Sequence, residues 1–143
     1  MSSVASIGRG AILELVPHAG RMCLLECVLE HGEQSIRCRA RSHRDPDHPL
    51  RRDGRLAALH LAEYAAQAMA VHGALMAGGR ARPGMLAALR DIRLHAAFID
   101  DIEADLLIEA TRRIAQADGS LYEFRTLAGD RLLAEGRISI ALL

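Results

Sequence analysis

The sequence predicts an α+β domain in which one long central helix is wrapped by a single antiparallel sheet of five to six strands. Two observations carry this reading. The stretch Leu56–Ala77 is apolar almost all round and rich in Ala, the composition of a helix that other elements surround. Most of the remaining chain alternates apolar and polar residues with period two, as strands with one buried face do. The 143 residues suit one domain, spanning residues 1–143, with a core large enough to stand alone.

The elements follow in order. Met22–Glu30 is an apolar run with an imperfect period. In Ser35–Arg41, the residues Ile36, Cys38 and Ala40 alternate with Arg37, Arg39 and Arg41. Ser42–Arg55 is polar and reads as the long loop. Within Leu56–Ala77 the interruptions His60, Glu63, Gln67 and His72 argue against a membrane span, because a carboxylate in lipid is costly. Gly78 and Gly79 close the helix. Four further alternating runs follow, centred on Ile92–Ala96, Leu106–Thr111, Tyr122–Thr126 and Leu132–Ile140. Asp118-Gly119 and Gly129-Asp130 separate the last three, which predicts tight antiparallel hairpins. A single sheet with one helix must wrap that helix to hide its apolar surface, a hotdog-like arrangement. One helix face is then left for a partner subunit to cover.

Composition narrows the function classes. Lys plus Arg and Asp plus Glu are both 18, and aromatic residues are 3% with no Trp. Neither a basic surface nor stacking platforms point to nucleic acid. Cys23, Cys27 and Cys38 lack a Cys-x-x-Cys pair, so reduced thiols in a cytoplasmic protein are expected, with Cys38 packed in the core. Met1–Gly10 has no apolar stretch of signal-peptide length.

The chemistry gathers on the helix. At 100° per residue, His60, Glu63 and Gln67 lie within about 60° of each other. Glu63 is a lone carboxylate on a helix expected to be buried, and burial without a partner raises a carboxyl pKa toward the range of a general acid. The alternatives are that it faces solvent or pairs with Arg90 or Arg93. Among the histidines, His31, His43 and His95 read as surface residues and His72 as a satisfied core or interface residue. His60 can hydrogen-bond Glu63. His48, in DPDHPLRRDG, and His18, in VPHAGRM, are the candidates for a catalytic base on a loop. No paired-histidine metal motif, Gly-rich phosphate loop or Ser nucleophile elbow is present in the sequence. Proton-transfer chemistry fits better than nucleophilic or metal chemistry.

Three segments carry a family resemblance. LVPHAGRMCLLECVLE resembles the opening of the hotdog-fold 3-hydroxyacyl carrier-protein dehydratases, HLAEYAAQAMAVHGAL their central helix, and FIDDIEADLLIEA the turn ending in Asp-x-Leu before the next strand. The HPL…DGRL…EYAAQA pattern is similar to that of dehydratase-like proteins from bacterial aryl polyene and xanthomonadin-type pigment clusters. The resemblance implies a hotdog fold and dehydration of a 3-hydroxyacyl thioester, carried on the pantetheine arm of acyl carrier protein, to a trans-2-enoyl thioester. It requires no cofactor. Glu63 would protonate the departing hydroxyl, and His48 or His18 would remove the C2 proton. Gln67 and His60 would orient the site, and backbone N–H groups near the helix start, with Gly54, would face the thioester oxygen. The loop here reads Asp-His-Pro rather than Gly-His-Phe-Pro. A homodimer or a heterodimer with another hotdog subunit is implied. The rivals are a hotdog thioesterase and a non-catalytic partner subunit.

Overall fold

A computed structural model describes residues 6–16, 20–79 and 84–142. The elements are β1 (Ile7–Gly8), α1 (Arg9–Leu15), β2 (Cys27–His31), β3 (Ser35–Ala40), α2 (Leu61–Met76), β4 (Gly84–Leu94), β5 (Leu106–Gln116), β6 (Gly119–Ala128) and β7 (Arg131–Leu142). They form one antiparallel sheet in the order β1-β2-β3-β5-β6-β7-β4. The sheet has seven strands, which corrects the expected five to six. Each of the six runs overlaps a strand, although Met22–Glu30 becomes one only from Cys27 and Ile92–Ala96 meets only the end of β4. The seventh strand is Ile7–Gly8, paired with Cys27–Val28. Two residues held by backbone bonds leave no side-chain period to detect. The short helix α1 is unannounced for the same reason.

Helix α2 starts at Leu61, five residues later than its composition suggests. The cause is Asp100, which accepts from the Leu56 N–H at 2.9 Å and from the Arg55 Nε at 3.0 and 3.1 Å. Ile99 N–H then donates to Leu56 O and Ala58 N–H to Ala97 O, both at 2.9 Å. These bonds hold the chain extended until a 3-10 turn, Ala58–His60, leads into the helix. At the other end Gly78 takes φ +89°. The Gly79 N–H bonds Ala74 O at 2.8 Å and the Gly78 N–H bonds Leu75 O at 3.4 Å, the paired closure that a left-handed glycine permits.

Both predicted hairpins form, with Gln116 opposite Gly119 and Ala128 opposite Arg131. Gly129 supplies the positive φ, +58°, that a two-residue loop needs. The concave face packs Ile36, Cys38, Leu106, Ile108, Phe124 and Ile138 against Leu61, Tyr64, Met69 and Val71 of α2, all essentially buried. Cys38 is a core residue as expected, and burial pushes its thiol pKa up. The three cysteines are all buried and free.

The convex face carries charge instead. Register places Glu30, Arg37, Glu109, Arg125, Glu135 and Arg93 in one row across β2, β3, β5, β6, β7 and β4. Arg37 bonds Glu30 at 3.0 Å and Glu109 at 3.2 Å, and Arg125 lies 3.5 Å from Glu109. Exposed pairs of this kind contribute only about 0.2–1 kcal/mol each, but their alternation keeps this face solvated.

Strand β4 is the sheet's outer edge, and all its residues except Ala88 and Ile92 are exposed. A bulge at Asp91 (φ +54°) turns Ile92 inward over Gly136. A Cβ on Gly136 would lie 2.5 Å from Ile92 Cδ1 and 3.2 Å from both Ile92 Cα and Phe124 Cε1. Gly136→Ala is therefore expected to destabilise the fold by about 1–3 kcal/mol, read as a lower midpoint in urea unfolding. Adding Ile92→Ala should restore part of the loss, and an unchanged midpoint in the single variant would contradict this packing.

Candidate active site

Helix α2 is covered by the sheet on most sides and left open on one. Glu63, Ala66, Ala70 and Gly73 form the open stripe and, with Met76, floor a groove of about 950 Å³. Its walls come from Glu14 to Val16 and Met22 on the N-terminal side, and from Gly84 to Leu86 of the edge strand. Arg112, Gln116, Ser120 and Tyr122 line the strand side. Along the helix axis, Glu63 and Ala77 stand about 20 Å apart, so the groove is long as well as open. Small residues on the floor and the methionine side chains that line the groove (Met22, Met69, Met76, Met85) make it adaptable to an extended apolar ligand.

Glu63 is not buried in this subunit: its side chain is 47% exposed and lies 3.5 Å from His60 Nδ1. This corrects the expectation of burial, and the reason is geometric. The sheet and the segment before β2 close around the other sides of α2, burying Tyr64, Gln67 and His72, and leave the Glu63 stripe uncovered. Neither Arg90 nor Arg93 makes an ion pair with Glu63 among the described residues; both stand on β4.

Gln67 is buried and does not bond Glu63. Its Nε2 donates to Met22 O at 2.5 Å and its Oε1 accepts from Leu24 N–H at 2.8 Å, so it fastens the segment before β2 to α2. His72 is fully buried: Nε2 donates to Gly32 O at 2.8 Å, leaving Nδ1 to accept from the Tyr122 hydroxyl at 2.6 Å. It is the satisfied core histidine the sequence suggests. His43 departs from its expected surface position. It is fully buried with Nε2 donating to Ile102 O at 2.9 Å, because its 3-10 turn packs under the loop that precedes β5.

His48 is 4% exposed and faces inward. The Leu50 N–H donates to its Nδ1 at 3.1 Å, and its Nε2 lies 3.0 Å from the Tyr64 hydroxyl. Tyr64 in turn meets Ser42 Oγ at 2.7 Å, and Ser42 meets Leu24 O at 2.8 Å. Burial raises the Tyr64 pKa to about 12, so it stays a neutral phenol. Gly54 is exposed at φ +75° in the turn Arg52–Arg55, well before the helix start, with its carbonyl accepting from Arg51 at 2.8 Å. His18 lies outside the described residues. The structure thus brings Glu63 and His60 together, keeps Gln67 in the same groove but bonded to Met22 and Leu24, and sets His48 and Gly54 outside the groove lining. Tyr64, Ser42 and Tyr122 escaped the sequence reading. A hydroxyl on an apolar run announces itself only when its neighbours in space are known.

Among the described residues no helix is long and apolar enough to cross a membrane. No group of three His, Cys, Asp or Glu there could hold a metal ion.

One sheet wrapped around one helix is a hotdog-like fold, here with a carboxylate on the helix's open face. Residues 10–142 match the ApeP-like family, described as ApeP dehydratase; the chain belongs to that family. Among solved structures, it is similar to the dehydratase heterocomplex ApeI:P from Xenorhabdus doucetiae, with a TM-score of 0.81 and 22% identity over 92% of this chain and 90% of that one. A protein from Helicobacter felis has a TM-score of 0.65 and 13% identity, covering 92% of this chain and 87% of that one. Zebrafish thioesterase superfamily member 2 follows at 0.61 and 20% identity, over 86% and 84%. At these identities the structural likenesses bear on the fold. No curated protein sequence matches the chain at a significant level.

Burial lowers the pKa of His43, His48 and His72 below the ordinary 6.5. Their unfolded forms therefore take up protons first as the pH falls. The stability they contribute is complete above about pH 6.5 and is lost as pH drops through their depressed folded values. Urea midpoints are expected to be flat from pH 8 to 7 and to fall steadily between about 6.5 and 5. A flat profile across that interval would contradict three buried neutral imidazoles.

Proposed function

We propose that this chain is a subunit of a dehydratase that removes water from a 3-hydroxyacyl thioester carried on acyl carrier protein, in aryl-polyene-type or fatty-acid-like synthesis. The family supports dehydration, and the observation that carries the site is Glu63, the one charged side chain that α2 turns into the groove. In this reading the thioester acidifies the C2 proton, which passes to a base. The C2–H electron pair becomes the C2=C3 bond, the C3–O bond breaks, and the oxygen leaves as water with a proton from Glu63. A partner seated over the groove would remove Glu63 from water, the condition under which a carboxyl keeps its proton near neutrality.

A different hotdog subunit suits that place better than a second copy. The charge row ends on Arg93 at the open edge, and the next row, Glu123–Arg137, ends on Arg90. Exposed Met85 (57%), Leu86 (47%), Leu89 (41%) and Leu94 (44%) flank them, an apolar edge that invites strand addition. A second copy would bring Arg toward Arg with only Asp91 to offset it. A subunit with acidic residues on its own edge would continue the alternation.

The test follows the mass of an intact 3-hydroxyacyl carrier-protein substrate with this chain alone and with a hotdog partner subunit. Loss of one water, slowed at least about a hundredfold by Glu63→Gln in a folded complex, is expected. Release of free acid instead would make the protein a thioesterase. Water loss unaffected by Glu63→Gln would leave this chain a non-catalytic subunit. For assembly, native mass spectrometry should show little dimer for the wild type and more dimer in its equal mixture with R90E/R93E, declining as salt rises. Equal dimerisation in both samples would remove the charge argument.

A further inference from the structure

We infer that His48 is a positioning residue, holding the first turns of α2 in place, and that the proton acceptor of the reaction is another group. The inference rests on the dehydratase reading above, but its evidence is the direction of four hydrogen bonds. A backbone N–H can only donate, so the Leu50 N–H at 3.1 Å obliges His48 Nδ1 to be the unprotonated nitrogen. The neutral ring then carries its proton on Nε2 and gives it to the Tyr64 oxygen at 3.0 Å. Tyr64 must send its own proton to Ser42 Oγ at 2.7 Å, and Ser42 must send its proton to the Leu24 carbonyl at 2.8 Å. One amide thus sets the direction of the whole chain.

The consequence is chemical. A base needs a lone pair facing its substrate, and the one lone pair of His48 faces the Leu50 N–H inside a ring that is 4% exposed. Protonating Nδ1 would set N–H against N–H and leave a buried imidazolium. Burial is the largest influence against that charge; among its neighbours Arg51, His60 and His43 also oppose it and Asp45 favours it. What the arrangement does well is mechanical. It ties the loop at His48, the 3-10 turn after β3 at Ser42 and the segment before β2 at Leu24 to Tyr64. Tyr64 is the residue after Glu63, about 100° further round α2, and is fully buried. Held there, Tyr64 fixes the rotation of the helix at the turn that presents Glu63 to the groove.

The decisive experiment is the imidazole spectrum of the full chain labelled with nitrogen-15. At pH 7.5, His48 is expected as the Nε2–H form, without protonation through the ordinary histidine range. An Nδ1–H form, or titration near 6.5, would overturn the inference. Two variants extend the test. His48→Asn keeps an acceptor for Leu50 N–H, and His48→Gln keeps a donor for Tyr64; both should lower the unfolding midpoint, and neither can act as a base. In the water-loss assay, folded His48→Gln is expected to keep activity within about tenfold and to retain the acid limb of the pH–rate profile. A loss beyond about a hundredfold, with that limb abolished, would make His48 the base. If no water loss is seen with any subunit, the dehydratase reading fails, yet the tautomer still decides what His48 does.

Discussion

Burying Tyr64, Gln67 and His72 on an otherwise apolar helix obliges the surrounding chain to bring each of them a partner. Leaving one such group unpaired costs about 1–3 kcal/mol. The chain meets the demand with backbone at Met22, Leu24 and Gly32 and with the side chains of Ser42, His48 and Tyr122. These bonds do what apolar packing alone cannot, because an Ala-rich surface slides and rotates at little cost whereas hydrogen bonds have directions. The helix is locked in rotation, and the stripe Glu63, Ala66, Ala70 and Gly73 is left to floor the groove, with Gln67 at its border.

The sheet's two faces follow from the same division. The concave face is spent on α2, and the convex face on an alternating row of acids and arginines that leaves no apolar surface for stacking against another sheet. Exposed apolar side chains gather along the groove and on the adjoining edge strand β4, with Leu59, Phe98 and Ile114 standing apart from them. The exposed carboxylate, the open groove and the unpaired edge are the features on which the proposal of a partner subunit rests. That geometry explains why the family match to a dehydratase and the reading as a subunit of a larger complex support each other.

Sequence and structure agree most where a residue's task is local. The alternation in Ser35–Arg41 and Tyr122–Thr126 showed strands because side-chain direction in a strand has period two whatever lies beside it. The glycines at 78, 79 and 129 marked turns because positive φ is a property of the residue itself. His72 could be read as a core histidine from its place on the helix. His43 could not, because its burial comes from a loop sixty residues away in the chain, at Ile102. Asp100 delays the start of α2 across a similar separation, and no property of Leu56–His60 by itself announces it.

By itself, then, the sequence determined the fold class, the helix that bears Glu63, the hairpins and the helix face on which Glu63 stands. All of these arise from the periods of helix and strand and from residue-specific backbone preferences. Only the tertiary structure decided that Glu63 lies open rather than buried, that Gln67 fastens a strand instead of orienting the carboxyl, and that His48 is held with its lone pair against a backbone amide. Those outcomes depend on which donors and acceptors meet in space. Hydrogen-bond direction is set by both partners of a pair, and one partner seen in sequence leaves it open.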